Sequence, residues 1–273
     1  MRILAITDLR GATHRLPQVL NLIGKKRIDA MVFSGNIIEE DARYKGYVEA
    51  RGKGENARMN PEELDRLEKK AVAAYEAFFD TLGKLDIPVF VVPGELDAPK
   101  RLYYQAALNH EIIEPNIFMV HRSFSPALEN YNFAMAGFGG RIADNGDEWK
   151  VELAQIYPDW LPVFALDFVR HFDQEPILIF HTPPKWGELD VHGNQRIGHE
   201  AIDHVIKTFH PKYAFVGAAR DGQGTTRIGT TLVINPGWLK DGHYAILDTR
   251  TNGVIFGQLT EAAGEEDLEM AIA

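Results

Sequence analysis

A chain of 273 residues, 45% of them hydrophobic, is long enough to bury a full core and sits near the upper size for one domain. Its 29 Lys and Arg face 39 Asp and Glu, a formal net charge of -10, which excludes the broad basic face that sequence-independent binding to nucleic acid or an anionic membrane requires. The absence of cysteine rules out a disulfide framework and any thiolate metal site, so a metal would have to be held by His, Asp, Glu or Asn.

The opening MRILAITDLRG has, before Asp8, one basic residue and too short an apolar run for a signal peptide. No stretch reaches the ~18 apolar residues of a membrane span. The expectation is a cytoplasmic protein. In chain order, strand patterns fall at 3–7, 30–34, 89–92, 118–120, 133–138, 177–180, 213–216, 231–234, 244–247 and 254–258. Helical patterns lie between the early ones, so the first half reads as βαβ units on a buried sheet. The last four strands follow one another closely, and RIGTTLVINPG reads as a hairpin. Both halves together predict an α/β fold of two mixed sheets packed between helices.

The clearest helix is NPEELDRLEKKAVAAYEAFFDTLGKL. Asn60 can cap it, Pro61 suits the first helical position, and Glu62 and Glu63 face the positive end of the helix dipole. Its apolar stripe, from Leu64 and Leu67 through Tyr75 and Phe78 to Leu85, is a core face. Before it, residues 39–59 form a charged, glycine-containing insertion, expected to be either a lid or a surface loop, since loops beyond ~12–15 residues are unusual without a function. Residues 261–273 carry five acids and no base and read as a solvated tail behind one domain spanning 1–260.

Five strands run into short, unusual loops: TDLRG from Thr7, SGN from Ser34, PGELD from Pro93, HTPP from His181 and GAAR from Gly217. In open α/β sheets, ligands gather beyond the carboxyl ends of strands, so these loops should meet in one crevice. Their order and spacing resemble the calcineurin-like metallophosphoesterase family, whose motifs are Asp-x-His, Gly-Asp, Gly-Asn-His-Asp/Glu, a lone His and Gly-His-x-His. The run Gly137 to Gly140 and the NPG after a late strand are softer matches.

The resemblance implies a metallophosphoesterase-like αββα sandwich and a phosphoesterase site in which the first motif and its partners hold one divalent metal and an Asp bridges to a second. The bridging position here is Asn36, whose neutral amide brings no negative charge. The first-metal positions carry Asp8, Arg10, Asn36 and Arg220, and arginine has no lone pair to offer. The second-metal positions carry Asn36, Glu95, His181 and Ala218, leaving at most one Mn²⁺, Mg²⁺ or Zn²⁺ on Asn36, Glu95 and His181. Leu96 stands where the family has its catalytic His, and Asp97 where the acid orienting it would be.

These replacements predict a phosphoesterase homologue with a degenerate site, binding a phosphate-bearing small molecule or a protein partner, with hydrolysis weak or lost. The alternatives are an active phosphoesterase with one metal on a non-standard site, and a non-catalytic scaffold. Arg10 and Arg220 either grip a phosphate in place of a lost cation or neutralise Asp8 and Glu95 internally. His192, Arg196 and His199 lie in a loop on the family's substrate side. Trp186 is a candidate ligand contact, Trp160 reads as a core anchor, Trp149 invites base stacking, and His121 and His243 read as structural.

Overall fold

The structure, a computed structural model, describes residues 1–54, 59–144, 153–260 and 265–268. Along the chain run β1 (Arg2–Ile6), α1 (Leu16–Lys26), β2 (Ala30–Phe33), α2 (Ala42–Gly52), α3 (Pro61–Gly83), β3 (Val89–Val91), α4 (Lys100–Ile113), β4 (Ile117–Met119), β5 (Phe124–Ser125), β6 (Phe133–Phe138), β7 (Arg141–Ala143) and β8 (Ile156–Pro158). Then follow α5 (Leu161–Ala165), β9 (Glu175–Phe180), β10 (Val191–His192), β11 (Gln195–Arg196), α6 (Glu200–Phe209), β12 (Tyr213–Phe215), β13 (Gly224–Ile228), β14 (Thr231–Asn235), β15 (His243–Asp248), β16 (Gly253–Leu259) and β17 (Glu265–Leu268).

Two mixed sheets dominate. One has the order β17-β16-β15-β1-β2-β3-β4, the other β13-β14-β12-β9-β6-β5. In the first, β1 to β4 are parallel and β15 to β17 antiparallel; in the second, β14, β12, β9 and β6 are parallel between antiparallel edges. Strand alternation sorts the core into layers. Ile3, Ala5, Val32 and Phe90 point between the sheets to meet Met135, Ile177, Ile179 and Phe215. Their neighbours Leu4, Ile6, Phe33 and Val91 point outward onto α1, α3 and α4, while Phe138, Leu178, Phe180 and Val216 pack beneath α6. All ten predicted strands are present with ends within two residues, as is the hairpin, which is β13 with β14. Helix α3 begins at Pro61, with Asn60 accepting the Glu62 N–H at 2.9 Å.

Three expectations change. Residues 42–52 of the insertion are helical rather than a loop, capped by Asp41, whose side chain accepts the Arg43 N–H. Arg43 is buried, donating to Asp41 and to the Ala98 carbonyl, and Tyr47 packs on Ala143, Ala154 and Ile156. Of the tail, residues 265–268 pair with β16 as an edge strand, because β16 otherwise presents unpaired backbone groups. Trp160 is 61% exposed, not a core anchor, because it caps a helix of five residues that turns Pro162 inward instead. Trp149 lies outside the described residues. No described helix is long and apolar enough to cross a membrane.

Candidate active site

The loops following β1, β2, β3, β9 and β12 converge beyond the carboxyl ends of their strands and are laced together by backbone hydrogen bonds. Asp8 N–H donates to the Gly35 carbonyl at 2.8 Å, Arg10 N–H to Asn36 at 2.9 Å, and Gly217 N–H to His181 at 3.1 Å. The two glycines Gly35 and Gly94 permit this approach. Gly35 has φ +100°, and a Cβ on it would overlap the Gly94 backbone, while one on Gly94 would overlap the Asn36 amide. Asp8, Asn36 and Ala218 also take left-handed backbone, at φ 52°, 61° and 62°. For side-chain-bearing residues such conformations persist only where surrounding contacts impose them.

Asn36 sits at the centre. Its Oδ1 accepts the Leu96 N–H at 2.9 Å, which turns the amide nitrogen toward Asp8 Oδ1 at 2.8 Å and His181 Nε2 at 3.2 Å. An amide nitrogen has two hydrogens and no lone pair to accept with, so Nε2 of His181 is the acceptor and its Nδ1–H faces the Ser34 carbonyl at 2.6 Å. Asp8 is fully buried and its acceptor capacity is taken up. Oδ1 receives Asn36 and the Arg10 Nε–H, and Oδ2 receives the Thr7 hydroxyl and the Ala218 N–H, each of these last three at 2.9 Å. Burial pushes its carboxyl up, but the Arg10 guanidinium and the Asn36 amide outweigh this and hold it below the usual carboxylate range.

The PGELD loop divides its residues between two tasks. Asp97 faces inward and accepts the N–H groups of Gly94 and Asn36 on Oδ2 and of Ile37 and Ile38 on Oδ1, stapling the β3 loop to the β2 loop. All four of these bonds go to backbone N–H groups and none to an imidazole. Burial raises its carboxyl above the usual range despite these donors. Leu96 is 5% exposed and belongs to the core beneath α3 and α4. Glu95 faces the cleft, accepting the Tyr44 hydroxyl from α2 and lying 3.4 Å from the Arg141 Nε.

Only one of the two arginines pairs as internal neutralisation of Asp8 and Glu95 would have it. Arg10 pairs with Asp8 and stacks over Trp238, its guanidinium carbon 3.9 Å from the ring centroid. Arg220 instead pairs with Asp241 at 2.8 Å on the surface, because the left-handed turn at Ala218 directs Ala219 inward and Arg220 out. The cation beside Glu95 is Arg141, immediately after the Gly137 to Gly140 run. Arg10, Glu95 and Arg141 border a cleft of about 420 Å³, together with His181, His192 and Arg196.

Arg196, though at the cleft, is held by acids of its own loop, and other predicted residues lie elsewhere. Arg196 is tied to buried Asp190 at 2.7 Å and to Glu188. His199 contacts Asp144 at 2.9 Å, and Trp186 carries the Lys207 ammonium 4.7 Å from its ring. His121 is buried among Tyr104, Phe138 and Tyr157, accepting the Gly139 N–H. Sequence reasoning missed Tyr44, Arg141, Trp238 and Asp241. Arg141 and Trp238 each directly follow a recognised motif, GG and NPG, and that adjacency was the available signal. Tyr44 had none.

The profile of the metallophosphoesterase family of the calcineurin superfamily matches residues 1–259, and the chain belongs to that family. A crystal structure 29% identical in sequence superposes with a TM-score of 0.86, over 95% of this chain and 99% of that one. The crystal structure of TT1561 from Thermus thermophilus is 27% identical, with a TM-score of 0.73 over 94% and 98% of the two chains. A dimetal phosphatase from Danio rerio, 12% identical, shares the fold with a TM-score of 0.59 over 99% of each chain. No curated protein matches the sequence.

Members of this family usually bind divalent metals, so the donors here must be weighed against one. Among the described residues, no three His, Asp or Glu side chains gather as a metal ion requires. The Asn36 oxygen, expected as a weak ligand, is turned to the Leu96 N–H, and an NH₂ group lies between Asp8 and His181. As arranged, the residues do not fit a metal pair at that point.

Proposed function

We propose that this chain is a phosphoesterase homologue with a degenerate site, which holds a phosphate-bearing ligand and hydrolyses it weakly or not at all. The observation that carries this reading is the Asn36 amide, which donates to both Asp8 and His181 where the resemblance places a bridging carboxylate. A metal clamp on a phosphoryl group is worth several kcal/mol, and each ~1.4 kcal/mol is a factor of ten in rate. Leu96 in place of a general acid or base removes a further ~10² to 10⁴. What remains suits anion binding. Arg10, Arg141 and His192 border one cleft, and a guanidinium presents forked donors that match phosphate oxygens.

The test is a melting curve with inorganic phosphate, run beside an aryl phosphodiester assay with and without Mn²⁺. Phosphate is expected to raise the melting temperature in wild type and not in Arg10→Gln, and Mn²⁺ to leave the hydrolysis rate unchanged. One observation favours a second reading, a one-metal phosphoesterase: Glu95 and His181 border the same cleft, and the His181 Nε2 lone pair, which here accepts from the Asn36 amide, is one a metal could take in that amide's place. Mn²⁺-stimulated hydrolysis that disappears in His181→Ala would establish that enzyme and displace the first reading. A protein partner draws support from Trp160 and Phe164, 61% and 74% exposed, with ring centroids 6.3 Å apart.

A further inference from the structure

The cleft bordered by Arg10 and Arg141 also carries acceptors. Glu95, Glu40 and Gln195 line it. A bare polyphosphate would meet two carboxylates there at a like-charge cost, whereas hydroxyl groups suit them. Each carboxylate oxygen has two lone pairs; Glu95 Oε1 uses one for the Tyr44 hydroxyl and Oε2 lies against the Arg141 Nε.

The cleft offers a nucleobase little to stack on. Of the aromatic rings that line it, Tyr44 is tied through its hydroxyl to Glu95 and lies 6.1 Å from the Tyr47 ring, His181 is buried, and His192 lies 5.3 Å from Trp238, which sits behind the lining with the Arg10 guanidinium 3.9 Å above its ring. Stacking platforms for bases need an open aromatic face, and each of these rings is already engaged. At about 420 Å³, the space lies at the lower end of ligand pockets, ~300–1,000 Å³. That is room for a pentose or hexose monophosphate.

Resting on the phosphate-binding reading above, we infer that the occupant is a phosphorylated sugar or polyol, with its phosphate on Arg10 and Arg141 and its hydroxyls on Glu95, Glu40 and Gln195. Isothermal titration of the full chain with ribose 5-phosphate, glucose 6-phosphate, inorganic phosphate, pyrophosphate and AMP tests it. One or both sugar phosphates are expected to bind at least about tenfold more tightly than inorganic phosphate or pyrophosphate, and AMP no more tightly than ribose 5-phosphate. Glu95→Gln is expected to remove the sugar-phosphate advantage without weakening inorganic phosphate. Should that variant fail to fold by circular dichroism, Gln195→Ala at an exposed position carries the same test. Equal affinity for inorganic phosphate and both sugar phosphates, or tighter binding of AMP, overturns the sugar assignment while leaving the phosphate reading intact. Silence from every phosphate probe overturns both.

Discussion

At Asn36, one side chain makes three hydrogen bonds that tie together four loops, and its chemistry predicts how a single substitution behaves. Asn36→Asp keeps an acceptor for the Leu96 N–H, loses both donors, and sets a second carboxylate against buried Asp8. Such an uncompensated buried charge costs about 3 kcal/mol or more. Urea denaturation of the metal-free variant should show that loss. Mn²⁺ should restore much of it in the variant and leave wild type unmoved, so an equal response of both proteins would contradict the role given to the amide. Asp97→Asn should cost about 3 kcal/mol by the same measurement, since an amide replaces an oxygen that accepts two backbone N–H groups. His121 supplies a pH effect. Burial, then Arg122 and Lys100, push its imidazole down to about 3 from an ordinary 6.5, so it folds neutral. The unfolded chain binds a proton there below pH 6.5 that the native state refuses until about pH 3. Stability contributed by neutral His121 is therefore complete above pH 6.5 and falls as pH drops through that window, by up to about 1.4 kcal/mol per pH unit. The ring is also faced by Tyr104 and Tyr157, both neutral over this range because burial raises their hydroxyls. His121→Asn should flatten the stability profile between pH 6.5 and about 4 in urea titrations; an unchanged slope would contradict the assignment.

Among the elements, α2 and α3 show where local signals suffice and where they fail. Helix α3 has a cap, a proline at its start and an apolar stripe through Tyr75, Phe78 and Leu82, so its start was legible, while the stripe read on to Leu85 overran the end at Gly83 by two residues. Helix α2 buries only Arg43 and Tyr47, too few for a period to emerge, and its partners Ala98 and Ile156 lie more than 50 residues onward. It is held by tertiary contacts that no local pattern encodes. Asp41→Ala removes both its cap and the ion pair of Arg43, leaving a buried guanidinium without its carboxylate. The expected loss is about 2–4 kcal/mol, with faster amide exchange confined to 42–52 and the Tyr44 contact to Glu95 released. The edge strand 265–268 was hidden for a similar reason: its five-acid surroundings look solvated, and only a waiting edge on β16 recruits it.

Across the whole molecule, three apolar layers hold the fold together: one between the sheets and one on the outer face of each. The layer between the sheets supplies the test. Phe90→Ala there, fully buried and stacked on Phe118 at 5.4 Å, should cost about 3–5 kcal/mol, while Phe164→Ala on the surface should stay within ~0.5 kcal/mol in urea denaturation. Strand positions, the capped helix, the α/β class and the convergence of five loops were all determined by the sequence alone, because alternation, caps and strand-end motifs act over a few neighbouring residues. Which groups pair inside the crevice was decided only by tertiary structure. Asp8, Asn36, Glu95, Arg141, His181 and Asp241 come from distant segments, and partners are chosen by ångström-scale backbone turns such as those at Asn36 and Ala218. Charge counting could balance two acids against two arginines, but only the folded backbone could send Arg220 outward and bring Arg141 to Glu95.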